Sequence, residues 1–167
     1  MLPMDGYHLY KSELRQFDDP QRAFDRRGSP YTFNSEKFRK TLISVRENAF
    51  ISDVYVPSFD HSVGDPVEND IVIDKNCQLV LVEGNYLGFP DISDHVWKWT
   101  SCVDLLDQLW YIDVDLEGAM NRVFRRHLGT GLDELTAQKR IDENDALNGA
   151  YIQQIAKSNQ HLIHRTV

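Results

Sequence analysis

The run Leu79-Val80-Leu81-Val82-Glu83-Gly84-Asn85-Tyr86-Leu87 constrains this chain most. Four apolar residues stand together, then a carboxylate and a glycine follow. Such a run, bounded by polar residues, suits a strand buried on both faces of a parallel sheet. Ligands of these sheets sit outside the carboxyl ends of the strands, where Glu83 would emerge. A second run, Leu109 to Ile112, also ends in carboxylates, at Asp113 and Asp115.

The expectation is therefore α/β, and 167 residues suffice for one domain with a real core, spanning 1–167. Two cysteines, Cys77 and Cys102, make no disulfide framework and have no metal-ligand spacing, so a reducing, cytoplasmic setting is expected. The net charge of -8 argues against nucleic acid as a partner. No apolar run approaches the roughly 20 residues that cross a membrane, so no membrane partner is expected.

Taken in order, Leu2 to Met4 reads as the tail of a strand that delivers Asp5 to a loop; an ordinary Asp-Gly turn is the plain alternative. The stretch Arg26-Arg27-Gly28-Ser29-Pro30-Tyr31-Thr32-Phe33 is a loop. Its arginines and hydroxyls suit either a polar substrate wall or a solvated surface. Asn34 caps a helix over about Ser35–Asn48, with Phe38, Leu42, Val45 and Ala49 on its apolar face. Phe50 to Val56 is β-prone and Pro57 is expected to stop it. A turn-rich stretch follows, then β-prone Asp70 to Asp74, so the whole predicts a hairpin-like excursion with Asp60 and His61 at its bend. That pair suits proton chemistry, substrate recognition or local loop bonds.

Asp115 caps a further helix whose apolar face is Ala119, Met120, Val123, Phe124 and Leu128. Arg122, Arg125 and Arg126 fall within an arc of about 100° on its other side. Gly129-Thr130-Gly131 ends it. A cationic arc beside a glycine hinge suits a phosphate-clamping lid, and equally a solvated face. Residues 133–157 are mostly helical, with Leu135, Ile141, Ile152, Ile155 and Ala156 as packing residues and a polar interruption at Asp142-Glu143-Asn144-Asp145. Leu162 to Val167 can start a last strand.

These pieces, in this order, resemble the uridine kinase, phosphoribulokinase and bacterial-type pantothenate kinase superfamily of P-loop kinases. The likeness is greatest to its fungal P-loop ATPase and kinase-like branch. The segments carrying it are Met4-Asp5-Gly6-Tyr7-His8-Leu9, Arg27 to Phe33, Pro57 to His61, Gly64 to Val67, Val82 to Leu87, the strand to Asp113, Arg122 to His127, and Asn144-Asp145. The resemblance implies a P-loop NTPase-like parallel sheet with flanking helices. It implies ATP and Mg²⁺ as cofactors and transfer of a phosphoryl group to a hydroxyl of a small metabolite: a nucleoside, a pantothenate-like compound or a sugar. It leaves a homodimer open.

By the same resemblance, Asp5 is the carboxylate near the acceptor hydroxyl and Glu83 the acidic residue beside Mg²⁺. Arg122, Arg125 and Arg126 become nucleotide-side lid arginines, with Arg122 and Arg126 catalytic, in a lid over about 116–145. Tyr7, His8, Arg27, Thr32, Asp60 and His61 belong to the acceptor site.

One departure stands out. The sequence contains no G-x-x-x-x-G-K-[ST], the loop whose amides cradle phosphates. In the superfamily that loop precedes the Asp5-like segment, and its strand lies between those ending at Glu83 and Asp113. The sequence therefore predicts an incomplete, N-terminally truncated domain, without first strand or phosphate loop, and inactive alone. Each unpaired sheet amide or carbonyl would then cost on the order of 1–3 kcal/mol. A degenerate, non-catalytic binding module and a nucleotide hydrolase are the other readings.

Overall fold

The computed structural model describes residues 1–60, 62–91 and 99–159, and the backbone of 162–166. Strand β1 (Leu2–Pro3) pairs in parallel with β4 (Val82–Glu83). Strands β2 (Val54–Asp60) and β3 (Asp65–Ile73) form an antiparallel hairpin. Strand β5 (Leu109–Asp113) runs parallel to β6 (Leu162–Thr166). Six α-helices are described: α1 (Lys11–Leu14), α2 (Pro20–Asp25), α3 (Ser35–Glu47), α4 (Leu116–Gly129), α5 (Glu134–Arg140) and α6 (Ala146–Ser158).

Helix ends follow side-chain chemistry. Asn34 Oδ1 accepts from Lys37 N at 2.9 Å to start α3, and Asp133 caps α5 through Thr136 N. Asp115 Oδ1 accepts from Gly118 N at the head of α4. Helix α4 closes with Gly131 at φ +94°, its N–H donating to Leu128 O while Leu132 N reaches His127 O. That arrangement needs the left-handed conformation glycine adopts cheaply. Between α5 and α6 the helix continues as a π-turn, Ile141–Asp145. The polar interruption expected there is thus a bulge within a helix, with Ile141 and Asn144 buried.

The core joins Leu2, Met4, Tyr7, Phe33, Phe38, Leu42, Tyr86, Phe89 and Trp99. Tyr86 is its aromatic hub, with ring centres 4.9 Å from Phe89, 5.6 Å from Trp99 and 5.7 Å from Phe33. Phe38 and Leu42 are buried as the helical spacing predicts, whereas Ala49 lies past the end of α3 and is exposed.

The structure corrects three expectations and adds one observation. The run Leu79–Glu83 is strand only at Val82–Glu83, and it is not buried on both faces. Val80 and Val82 face the core, while Leu79 is 76% and Leu81 63% exposed. A strand's side chains alternate, so one packed face leaves the other bare. Strand β5 repeats this, with Leu109 buried and Trp110 and Ile112 more than half exposed. Second, the parallel strands form two separate two-stranded pieces with no described strand between them, in keeping with the absent central strand.

Third, Pro57 does not stop its strand. Strand β2 runs through it to Asp60, and the register with β3 shifts between Val56 and Ser58. A proline has no N–H to give, and a bulge accommodates that loss. Fourth, Leu135 packs against nothing substantial, being 84% exposed on the outer side of α5.

Candidate functional site

The register Leu2↔Val82 and Pro3↔Glu83 brings two distant segments to one sheet end. Just beyond β1 the chain turns into a 3₁₀ helix, Met4–Tyr7, which carries Asp5. Asp5 and Glu83 thereby become neighbours. Partial burial raises the Glu83 carboxyl above its ordinary value, and the Asp5 charge adds to the effect. Two glycines permit the close packing. A Cβ on Gly84 would lie 2.5 Å from Met4 Cβ, and one on Gly6 would lie 2.2 Å from Pro57 O, at the β2 bulge.

His8 follows directly. Its Nδ1 lies 2.9 Å from Asp5 O and 3.9 Å from Asp5 Oδ1. A carbonyl only accepts, so Nδ1 carries the proton in that bond. The ring sits between Phe33 and Phe59, with centroids 4.0 and 4.5 Å away.

Arg27 borders this wall from the other side. Its guanidinium lies 5.4 Å from the Phe59 ring centre, a cation–π distance. It donates to Leu9 O at 2.9 Å, to Asp65 Oδ1 at 3.2 Å and to Gly64 O. Lys11 Nζ donates to Val63 O, and Tyr10 and Lys37 both reach Glu68 Oε1. These bonds clamp the hairpin tip over the segment after Asp5. Burial, with the bond to Glu68, pushes the Tyr10 phenol up to about 12, and two donors hold the Glu68 carboxyl below its usual value.

Several expected site residues are engaged elsewhere. Thr32 is buried, its hydroxyl accepting from Gly28 N at 2.9 Å and donating to Ser29 O at 2.8 Å. Tyr7 is a core residue, edge-on to Phe38 at 4.8 Å. Its hydroxyl points toward Thr41 without a well-formed hydrogen bond, and burial pushes its pKa up to about 12. Asp60 Oδ1 accepts from Ser62 N, Ser62 Oγ and Val63 N, an Asx turn that shapes the hairpin tip. His61 lies outside the described residues.

Arg122, Arg125 and Arg126 are all exposed on α4. No ion pair between them and a described residue is formed. The opposite face of α4 is only half-buried. It meets α6 closely at Gly149, where a Cβ would lie 2.7 Å from Leu116 Cδ1.

Sequence reasoning gave no role to Tyr86 or Asn148, and read Arg26 only as one of the loop arginines of a substrate wall or a solvated surface. Arg26 donates to Glu143 O at 2.7 Å and to Asn148 Oδ1 at 2.9 Å, and Tyr86 donates to Gly28 O at 2.5 Å. Partners more than 50 positions apart leave no periodic signal.

Chemically, Asp5 and Glu83 offer hard oxygen donors at a strand end. Among the described residues, no cluster of three or more His, Cys, Asp or Glu side chains forms a metal cage. A carboxylate pair fits Mg²⁺, which keeps its waters and takes further ligands from phosphates. No helix of the described residues is long and apolar enough to cross a membrane.

No family model matches the sequence. An Aspergillus versicolor protein named ATP-dependent kinase-like protein notR' is 38% identical over 149 residues, covering 87% of this chain and 84% of that protein. The chain belongs to this ATP-dependent, P-loop-type kinase family. A Schizosaccharomyces pombe member, provisionally named uridine kinase C227.14, is 35% identical over 155 residues. The Saccharomyces cerevisiae crystal structure of YFH7, provisionally described as a P-loop kinase with a circular permutation, superposes with a TM-score of 0.78 at 31% identity. It covers 99% of this kinase-family chain. The chain in turn spans 63% of C227.14 and 57% of the YFH7 structure. The α/β, P-loop kinase fold expected from the sequence is therefore correct.

Proposed function

We propose that this chain forms the acceptor-side wall, the Mg²⁺-side carboxylate and the lid of an ATP-dependent small-molecule kinase. The placement of Asp5 against Glu83 through the β1–β4 pair carries this reading. Asp5, half-exposed beside His8, receives the proton of an acceptor hydroxyl or orients it. Glu83 would hold Mg²⁺, which would supply charge neutralisation at the transferred phosphoryl group. Arg122, Arg125 and Arg126 approach that group from the lid over about 116–145, as guanidinium forks suited to phosphate oxygens. His8, Arg27 and the hairpin tip line the acceptor side, while Thr32 and Tyr7 support it from beneath.

The acceptor is a hydroxylated metabolite of the nucleoside, pantothenate-like or sugar class. The sequence has no G-x-x-x-x-G-K-[ST], so these 167 residues are proposed to bind ATP poorly by themselves. The bare faces at Leu79, Leu81, Trp110 and Ile112 suit a strand-and-helix element bearing that loop. Titration calorimetry with ATP and Mg²⁺ tests this: no saturable binding is expected at micromolar concentration, and clear binding overturns it. In a chain joined to a phosphate loop, Asp5→Asn should abolish transfer while sparing ATP binding. Equal loss of both would remove Asp5 from the acceptor side. The missing motif also favours a second reading, a non-catalytic binding module. Measurable transfer by the joined chain would exclude it.

A further inference from the structure

The turn Arg26–Ser29 is gripped from several directions at once. Ser29 Oγ donates to Arg26 O at 2.6 Å, Asn144 Nδ2 to Arg27 O at 3.0 Å, and Tyr86 OH to Gly28 O at 2.5 Å. Its two arginine side chains diverge. Arg27 goes to the hairpin tip, and Arg26 goes to the π-turn. There Arg26 donates to the carbonyls of Glu143 and Asn144 and to Asn148 Oδ1, while Asn148 Nδ2 donates to Asn144 Oδ1 at 3.2 Å. Asn144 and Asn148 are both buried.

A π-turn takes carbonyls out of the ordinary helical ladder, so they need other donors. Arg26 supplies them here. The π-turn also holds α4, through His127 Nε2 and Asp145 Oδ2 at 2.8 Å. One polar joint thus links the acceptor-side turn to the helix that bears Arg122, Arg125 and Arg126.

We propose that the Arg26–Asn144–Asn148 joint sets the angle of α4 against the acceptor-side wall, with Arg26 and Asn144 as positioning residues. Its part in phosphoryl transfer rests on the kinase reading above; the joint itself needs no nucleotide. Without Arg26, the π-turn loses the donor that covers its carbonyls and can relax to α-helix. Removing one residue's worth of bulge rotates α5, the helix that runs into the turn, by about 100° and shifts it by about 1.5 Å. Helix α4, tied to the turn through His127 and Asp145, would then lose its fixed angle against the wall.

Hydrogen exchange on the full chain, read by mass spectrometry, tests the joint without any ligand. Arg26→Gln and Asn148→Ala should each speed exchange over residues 116–140 by about tenfold, while α3 stays within about twofold. The double variant should exceed the faster single by no more than about twofold, because both act through one contact. Arg26→Lys keeps a cation and should retain part of the protection. It also serves as the reading if Arg26→Gln does not fold. Unchanged exchange over 116–140, equal acceleration in α3, or multiplying effects in the double variant would overturn the joint. Absence of phosphate transfer in a joined chain would count against the kinase reading and not against these exchange results.

Discussion

Around His8, several polar groups find partners within the wall: Arg27 bonds Leu9, Gly64 and Asp65, Tyr10 bonds Glu68, and Lys11 bonds Val63. Along α4, three arginines stand in solvent and no residue of the helix is fully buried. The wall is preformed; the arginine helix is held at its two ends, by Leu116 against Gly149 and by His127 against Asp145. Rigid placement suits groups that orient an acceptor, since misplacement by about 1 Å is costly. A loosely packed cationic helix suits charge that is needed only when a phosphoryl group is moving. Local stability should therefore differ between the regions, and mutation should expose it.

The largest effect should come from breaking the wall at Gly6. A Cβ there meets the Pro57 carbonyl at 2.2 Å, and backbone cannot move aside cheaply. Gly6→Ala should destabilise the fold by about 3 kcal/mol or more in urea denaturation. A change under about 1 kcal/mol would mean the wall is as yielding as α4.

Glu83→Gln probes the sheet end beside the wall. The Glu83 carboxyl is raised by burial and by Asp5, so the folded state holds its proton more tightly than the unfolded chain does. Its favourable contribution is present below the ordinary glutamate value of 4.5 and is lost as pH rises through the elevated one. Glu83→Gln should thus raise Tm modestly at pH 7 and leave it unchanged near pH 4. Equal shifts at both pH values would mean that the fold does not hold the Glu83 carboxyl above its ordinary value. The smallest effect should be at Arg126→Ala, within about 0.5 kcal/mol of wild-type stability, because the side chain is exposed and unpaired with any described residue. A larger loss would show α4 to be structural.

Where local chemistry decides, the sequence was readable. Asn34 and Asp115 announced α3 and α4, and the Asp-Gly-Tyr-His segment announced the turn beyond β1. The hairpin was visible from two β-prone stretches, with Asp60 at its bend. Pro57 misled, because a bulge against Gly6 lets a strand pass through a proline. Leu79 and Leu81 misled, because an apolar run does not say what covers each face. Tyr7 and Thr32 sit in the right motifs, but the side chains turn inward, one to Phe38 and one to its own turn. The π-turn had no signature beyond a polar patch, since its donor, Arg26, lies 117 positions away.

The pairing of β1 with β4 also bears on how the molecule assembles. Leu2 meets Val82 across 80 positions of chain, and the two carboxylates are adjacent only once that contact has closed. Closing so long a loop costs entropy before any contact repays it. Helices α3 and α4 can form from neighbours in sequence within microseconds. The carboxylate pair should accordingly be among the last features to appear during refolding. A partly folded chain would already display its cationic helix while Asp5 and Glu83 were still apart.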